Sequence, residues 1–174
     1  MKRYLYVLIL IIHLFAFGVS DVIYVDESGI DTHYQREYGY AAIGEKIQDT
    51  KRGRKYRRTN LIAGLWGKKH LAVQCYSHTT TSTFFEDWFE FELIGLLPEN
   101  ALIILDNASF HRKRYLCKIA AKYGMRLLFL PPYSPDLNPI EKSWANLKRW
   151  FCDHLHRFPC FDFALDAYFH AYHY

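Results

Sequence analysis

An α/β architecture, a mixed sheet covered by helices, follows from three observations on the sequence. Short β-branched and apolar runs alternate with longer stretches at helical spacing. Most of these runs close on a glycine, a proline or an acidic residue. The 174 residues, 51% of them hydrophobic, suffice for one domain with a real core. An aromatic content of 18% places the chain outside the disordered class.

The elements follow in order. "VIYVDES" at 22–28 is β-branched and aromatic and ends in acids, as a strand does. Residues 29–59 carry Gly29, Gly39, Gly44 and Gly53 and read as a long, partly irregular connection. "NLIAGLWG" at 60–67 and "KHLAVQCYS" at 69–77 form a hairpin turning at Gly67 and Lys68. In "TSTFFEDWFEFELIGLLP" at 81–98, Phe84, Phe85, Trp88, Phe91, Glu92 and Leu96 lie near helical spacing behind Ser and Thr caps. "NALIILDN" at 100–107 is nearly continuous in apolar residues, the pattern of a strand buried on both faces. Residues 111–123 form a basic amphipathic helix ended by Gly124, and "MRLLFLPP" is a second buried strand stopped by Pro131 and Pro132. A helix runs from Pro139 to about Leu155, and "FDFALDAYFHAY" closes the chain as another. No internal repeat interrupts this order.

The net charge of +4 is mild, but its distribution is uneven. "KRGRKYRR" at 51–58 holds six basic residues in eight and no acid, and "HRKR" at 111–114 follows an apolar run. Such blocks are either solvated faces or the footprint of a polyanion. Cys75, Cys117, Cys152 and Cys160 are widely spaced, with no C-x-x-C pair, which argues against a cysteine zinc site and a dense disulfide scaffold. Buried reduced thiols are the expectation. His154, His156, His170 and His173 lie on separate late segments and do not read as a metal cluster.

"MKRYLYVLILIIHLFAFGVS" has a basic start, an apolar stretch broken only by His13, and small residues near its end. By pattern it is a secretory signal or a short membrane anchor. Cleavage after Ser20 would leave a chain beginning directly on its first strand, in conflict with that reading. The division is therefore a signal-like or spurious segment at 1–20 and one folded domain at 21–174.

Three acids occupy related places on this map. Asp26 ends the first strand, Asp106 ends the apolar strand "LIIL", and Glu141 opens the helix after the next strand. Ligands gather at strand ends in open α/β sheets. Ionised carboxylates brought together repel one another unless a cation stands between them. Hard divalent ions take such oxygen donors and leave room for water and phosphate. Each acid also has a structural explanation: a turn residue at Asp26, an Asx-turn at Asp106 and Asn107, a helix cap at Glu141. Asn138 as cap, Pro139 at the first helical position and Glu141 three residues after the cap match a capping box.

"YVDESGIDTHYQREYGYAAIGEKI", "LIILDNASFHRK" and "LFLPPYSPDLNPIEKSWANLKRW" closely resemble the catalytic domain of D-D-E transposases, and more narrowly the insertion-sequence transposases related to the mariner group. The resemblance runs in order from residue 22 to about 155, and the 34 residues between Asp106 and Glu141 suit the spacing of that group. It implies a ribonuclease-H-like fold with Asp26, Asp106 and Glu141 as catalytic metal ligands for Mg²⁺ or Mn²⁺, two ions in all. The implied reaction is DNA strand cleavage followed by strand transfer, with no covalent protein–DNA intermediate. Asn107 and His111 are then expected to orient the site or touch DNA. Lys51, Arg52, Arg54, Lys55, Arg57 and Arg58 are expected to contact phosphates. Lys142, Lys148 and Arg149 either extend that surface or form a solvated helix face. The stiff proline loop and the cap are expected to aim Glu141.

Full members of that group carry helix-turn-helix units ahead of the catalytic domain, whereas only the apolar segment precedes Asp26 in this sequence. The expectations are the second half of a split reading frame whose upstream half is a partner, or a decayed remnant that at most binds DNA non-specifically. Both make the signal-like segment an accident and place the protein in the cytoplasm on DNA, with no stable membrane partner. A homodimer is implied because two element ends must be brought together. A secreted metal-dependent nuclease is the remaining alternative, and it requires cleavage after Ser20 and disulfides among the four cysteines.

Overall fold

The computed structural model describes residues 21–31, 58–132 and 134–172, together with Leu5, Leu8, Ile9, Ile12 and Gly18. Most of the segment 1–20 and the basic residues Lys51, Arg52, Arg54, Lys55 and Arg57 lie outside the described residues. Among the described residues no helix is long and apolar enough to cross a membrane.

β1 (Val22–Asp31), β2 (Arg58–Trp66) and β3 (Lys69–Tyr76) form an antiparallel meander. β4 (Leu102–Leu105) and β5 (Arg126–Phe129) add parallel strands on the other side of β1, in the order β3-β2-β1-β4-β5. The hairpin turns at Gly67 and Lys68 as expected; Gly67 takes φ +60°, the left-handed position that two-residue hairpin turns require.

Helices cover both faces. On one face, α1 (Ser82–Asp87) and α2 (Lys113–Lys122) press Phe85, Leu116 and Ile119 onto Ile23, Val25, Ile62 and Ile103. On the other, α3 (Ile140–His154) and α4 (Phe161–Tyr172) press Ile140, Trp144, Leu147, Phe151 and Tyr168 onto Ile30, Leu61, Ala63 and Leu65. The result is three layers around one sheet.

Four details depart from the sequence expectation. The stretch 81–98 is not one α-helix: Thr81 caps α1 by accepting from the Phe84 N–H at 3.2 Å, but the chain then widens to a π-helix at Trp88–Leu93 and tightens to a 3₁₀ turn at Ile94–Leu96. The widened turn puts Trp88, Phe89 and Leu93 in the core and leaves Phe91 and Leu96, expected on the apolar stripe, 72% and 54% exposed. β1 continues five residues past Asp26, because β2 still pairs with it where β4 has stopped. β4 is fully buried as expected, whereas β5 is only half-buried, being the sheet edge. All four cysteines are free, but Cys117 and Cys160 are exposed rather than buried.

Candidate active site

The parallel pairing of β1 with β4 runs Val22–Leu102, Ile23–Ile103, Tyr24–Ile104 and Val25–Leu105, and stops there. The next residue on each strand is an acid, Asp26 and Asp106. Neighbouring strands lie about 4.8 Å apart, so this register alone sets the two carboxylates side by side. By the alternation of side chains, Asp26 shares its face with Tyr24, and Asp106 shares its face with Ile104. That face is covered by α3 over β1 and by Leu130 and Leu137 over β4.

Glu141 reaches the same place from the other side. After β5 the chain passes through Pro131 and Pro132, makes a 3₁₀ turn at Pro135–Leu137, and enters α3 with Ile140 fully buried. Asp26, Asp106 and Glu141 line one cavity of about 420 Å³, walled by Pro131, Pro132, Ser134 and Pro135. The expected capping box is absent. No side chain caps α3; the Glu141 N–H donates to the Asn138 backbone carbonyl at 3.1 Å. The Asn138 backbone is already committed to the 3₁₀ turn, its N–H donating to the Pro135 carbonyl at 2.9 Å. Its side chain is buried, lines the cavity, and leaves Oδ1 without a partner. Glu141 is therefore aimed by the proline turn and the Ile140 anchor.

The electrostatics of the acids differ. Burial pushes Asp26 up to about 7; the charges of Glu141 and Asp106 add to the rise, while the Glu27 backbone N–H and the nearby Trp144 indole oppose it. Asp106 lies below the usual carboxylate range. Burial raises it, but the hydrogen bonds from His111 and Ala108 and the nearby charges of His111 and Lys113 outweigh burial. The bonds run from the Ala108 N–H at 3.0 Å and from His111 Nε2 at 3.1 Å, both to Asp106 Oδ1.

His111, at the head of the basic helix, is buried. It is 8% exposed, with the rings of Phe85 and Phe110 each 4.3 Å away. The helix it precedes is tied to α1 by Arg112, whose guanidinium bonds both oxygens of the buried Glu86, one at 2.7 Å. Asn107 lines the cavity and accepts a hydrogen bond from Lys113 Nζ.

Glu27 escaped the sequence reading. Next to Asp26 on a strand, it points to the opposite face, into the layer that α1 covers. Burial, followed by the charges of Asp26 and Asp106, pushes it up to about 8. The adjacent acids in "VDES" carried the signal: on a strand with both faces covered, one of two neighbours must enter the core.

No three His, Cys, Asp or Glu side chains among the described residues are already gathered into ion-holding geometry. The three acids share a cavity rather than an assembled coordination shell. Their chemistry nonetheless suits a hard divalent cation. The donors are all oxygen, Glu141 and Asp106 both raise the pKa of Asp26, and a shared cation removes that repulsion. The expected phosphate-contact block falls outside the described residues, except the Arg58 backbone in β2. Lys142, Lys148 and Arg149 lie on α3, Lys142 and Arg149 exposed and Lys148 half-buried.

A family model described as DDE superfamily endonuclease matches residues 21–162. The chain belongs to the DDE superfamily of endonucleases. Solved structures similar to this DDE domain include a pre-cleavage Mos1 transpososome, with a TM-score of 0.71 and 18% identity over 96% of this chain and 53% of that one. A Mos1 mariner paired-end complex with Mn matches with a TM-score of 0.68 and 19% identity, over 86% of this chain and 48% of that one. The catalytic domain of Mos1 mariner transposase matches with a TM-score of 0.63 and 15% identity, over 98% of this chain and 79% of that one. The DDE domain thus has the ribonuclease-H-like fold, and spans about half the length of the first two Mos1 chains. It is also 39% identical over 49 residues to the uncharacterized protein y4pE/y4sA of Sinorhizobium fredii, a stretch covering 28% of this chain and 34% of that protein.

Proposed function

We propose that this domain cuts and joins DNA strands as the catalytic part of a transposase, using Mg²⁺ or Mn²⁺ held by Asp26, Asp106 and Glu141. The observation that carries the reading is the strand register: pairing ends at Val25–Leu105, so the next residues, Asp26 and Asp106, fall side by side in a cavity that Glu141 also lines. When bound, a pair of such ions supplies an activated water and stabilises the leaving 3′ oxygen of a phosphodiester. The chain's own groups supply the positioning. His111 and the Ala108 N–H hold Asp106 ionised and oriented, and the proline turn fixes where Glu141 enters. The Lys113–Asn107 bond places a cation at the cavity rim, where a phosphate would arrive. The Mos1 structures above, one a transpososome and one a paired-end complex with Mn, support DNA and a divalent ion as its partners. On this reading the protein works in the cytoplasm on DNA, as a dimer that joins two element ends. Recognition of those ends comes from an upstream helix-turn-helix part.

Calorimetric titration of the chain with Mn²⁺, beside its Asp106→Ala variant, tests the reading. Binding by the wild type that weakens at least about tenfold in the variant is expected. A folded wild type that binds no Mn²⁺ would leave the acids structural and the protein a remnant that at most holds DNA.

A further inference from the structure

Helix α3 brings more than Glu141 to the site. Three residues on, on the same side of the helix, stands Trp144, 1% exposed and packed in the cluster that contains Ala63. Ala63 is the residue paired with Asp26 across β1 and β2, so the cluster that holds the indole reaches the strand position beside the carboxylate. The Trp144 Nε1–H is buried and lacks a fully formed partner; so does Asp26 Oδ2. One is a donor without an acceptor, the other an acceptor without a donor. The indole stands near enough to the Asp26 carboxyl to favour its charged form. Buried tryptophan N–H groups ordinarily find a partner. Packing alone would accept a phenylalanine here, so the N–H is the feature that packing does not use.

We infer that Trp144 is a positioning residue of the catalytic centre: its indole N–H holds the inner oxygen, Oδ2, of Asp26 and so turns Oδ1 toward the cavity and its cation. The inference rests on the reading of Asp26 as a metal ligand. The E-x-x-W spacing then gives α3 two tasks, since the same helical turn supplies the third acid and orients the first. Any shift of α3 moves both together.

The test is Mn²⁺ calorimetry on the full chain and its Trp144→Phe and Trp150→Phe variants. It is accompanied by the indole ¹H–¹⁵N resonance of Trp144 in metal-free wild type and Asp26→Asn. Trp144→Phe keeps the ring packing and removes the donor. Mn²⁺ affinity is expected to fall by about 10- to 100-fold, the usual loss when a group orienting a ligand is removed. Trp150→Phe, elsewhere on α3, is expected to bind as the wild type does, and Asp26→Asn is expected to move the Trp144 indole resonance upfield. Unchanged affinity in Trp144→Phe beside a binding wild type overturns this proposal alone. Should that variant fail to fold, an indole resonance indifferent to Asp26→Asn overturns it. A wild type that binds no Mn²⁺ overturns the metal reading, and this proposal with it.

Discussion

Asp26 and Glu27 are neighbours on one strand, face opposite layers, and are both pushed upward by burial and by nearby negative charge, to about 7 and about 8. Each folded-state value lies above the ordinary carboxylate range near 4, so the folded protein retains protons that the unfolded chain has already released. Their protonated forms therefore contribute stability at low pH. That stability is lost as pH rises through the window from about 4 to about 8. Asp106, held low by His111 and Ala108 against its burial, works in the opposite sense and loses its contribution only in stronger acid. The metal-free chain is thus expected to be most stable near pH 5 and progressively less so toward pH 8, by roughly a few kcal/mol. Glu27→Gln should flatten the upper part of that fall. Saturating Mg²⁺ should recover stability at pH 8, since binding to the folded state alone raises its apparent stability. Melting curves across pH, with and without the ion, check all three.

At the scale of elements, β2 fits closely against the π-helical segment. A bulge between Ile62 and Gly64 distorts the β2–β3 pairing, Ala72 opposite takes φ 49°, and the Trp88 indole donates to the Ala72 carbonyl at 2.8 Å. Gly64 lies directly under this segment. A Cβ there would stand 2.8 Å from Leu93 Cδ1 and 3.3 Å from Ile23 Cγ2, both in fully buried side chains. Gly64→Ala is therefore expected to destabilise the domain by about 1–2 kcal/mol, as overpacking does, read by urea unfolding. Leu93→Val in the same chain should restore part of the loss, because the two positions share one contact. Helical spacing pointed to a helix at 81–98 but not to its change of pitch. The pitch follows from what the sheet offers to Trp88, Phe89 and Leu93, which no local pattern contains.

Across the whole molecule, the described cations divide by their partners. On α2, Lys122 pairs with Glu90, and just ahead of that helix Arg112 pairs with Glu86; both acids belong to the α1 segment and its π-helical continuation, so these two cations fasten one layer. Arg114 and Lys118 stand one turn apart and exposed, on the helix that begins beside the cavity at Lys113. If DNA is the substrate, its backbone has a track here as well as at the expected block 51–58. Arg114→Ala with Lys118→Ala is expected to weaken duplex binding and to make its logarithmic salt dependence shallower by about 2, one for each phosphate no longer neutralised. Fluorescence anisotropy over a salt series reads it; an unchanged slope would mark both as solvated charges.

What the sequence determined by itself is whatever depends on neighbouring residues. The period of each element, the hairpin at Gly67 and the stop at Gly124 all follow from local chemistry. So does the apolar run before Asp106. The tertiary structure decided which groups meet. Asp26 looked like a strand end because its run of β-branched residues ended there, yet β1 continues and only its parallel partner stops. Asn138 looked like a cap because its spacing to Glu141 was right, yet a preceding turn claimed its backbone. Glu27 and Trp144 carried no local mark of their surroundings, which come from the face they occupy and from what lies across the sheet. Register between segments distant along the chain is set by long-range packing, and a change of one residue exchanges the two faces of a strand. Chemistry that depends on a face is therefore legible only once the sheet has formed.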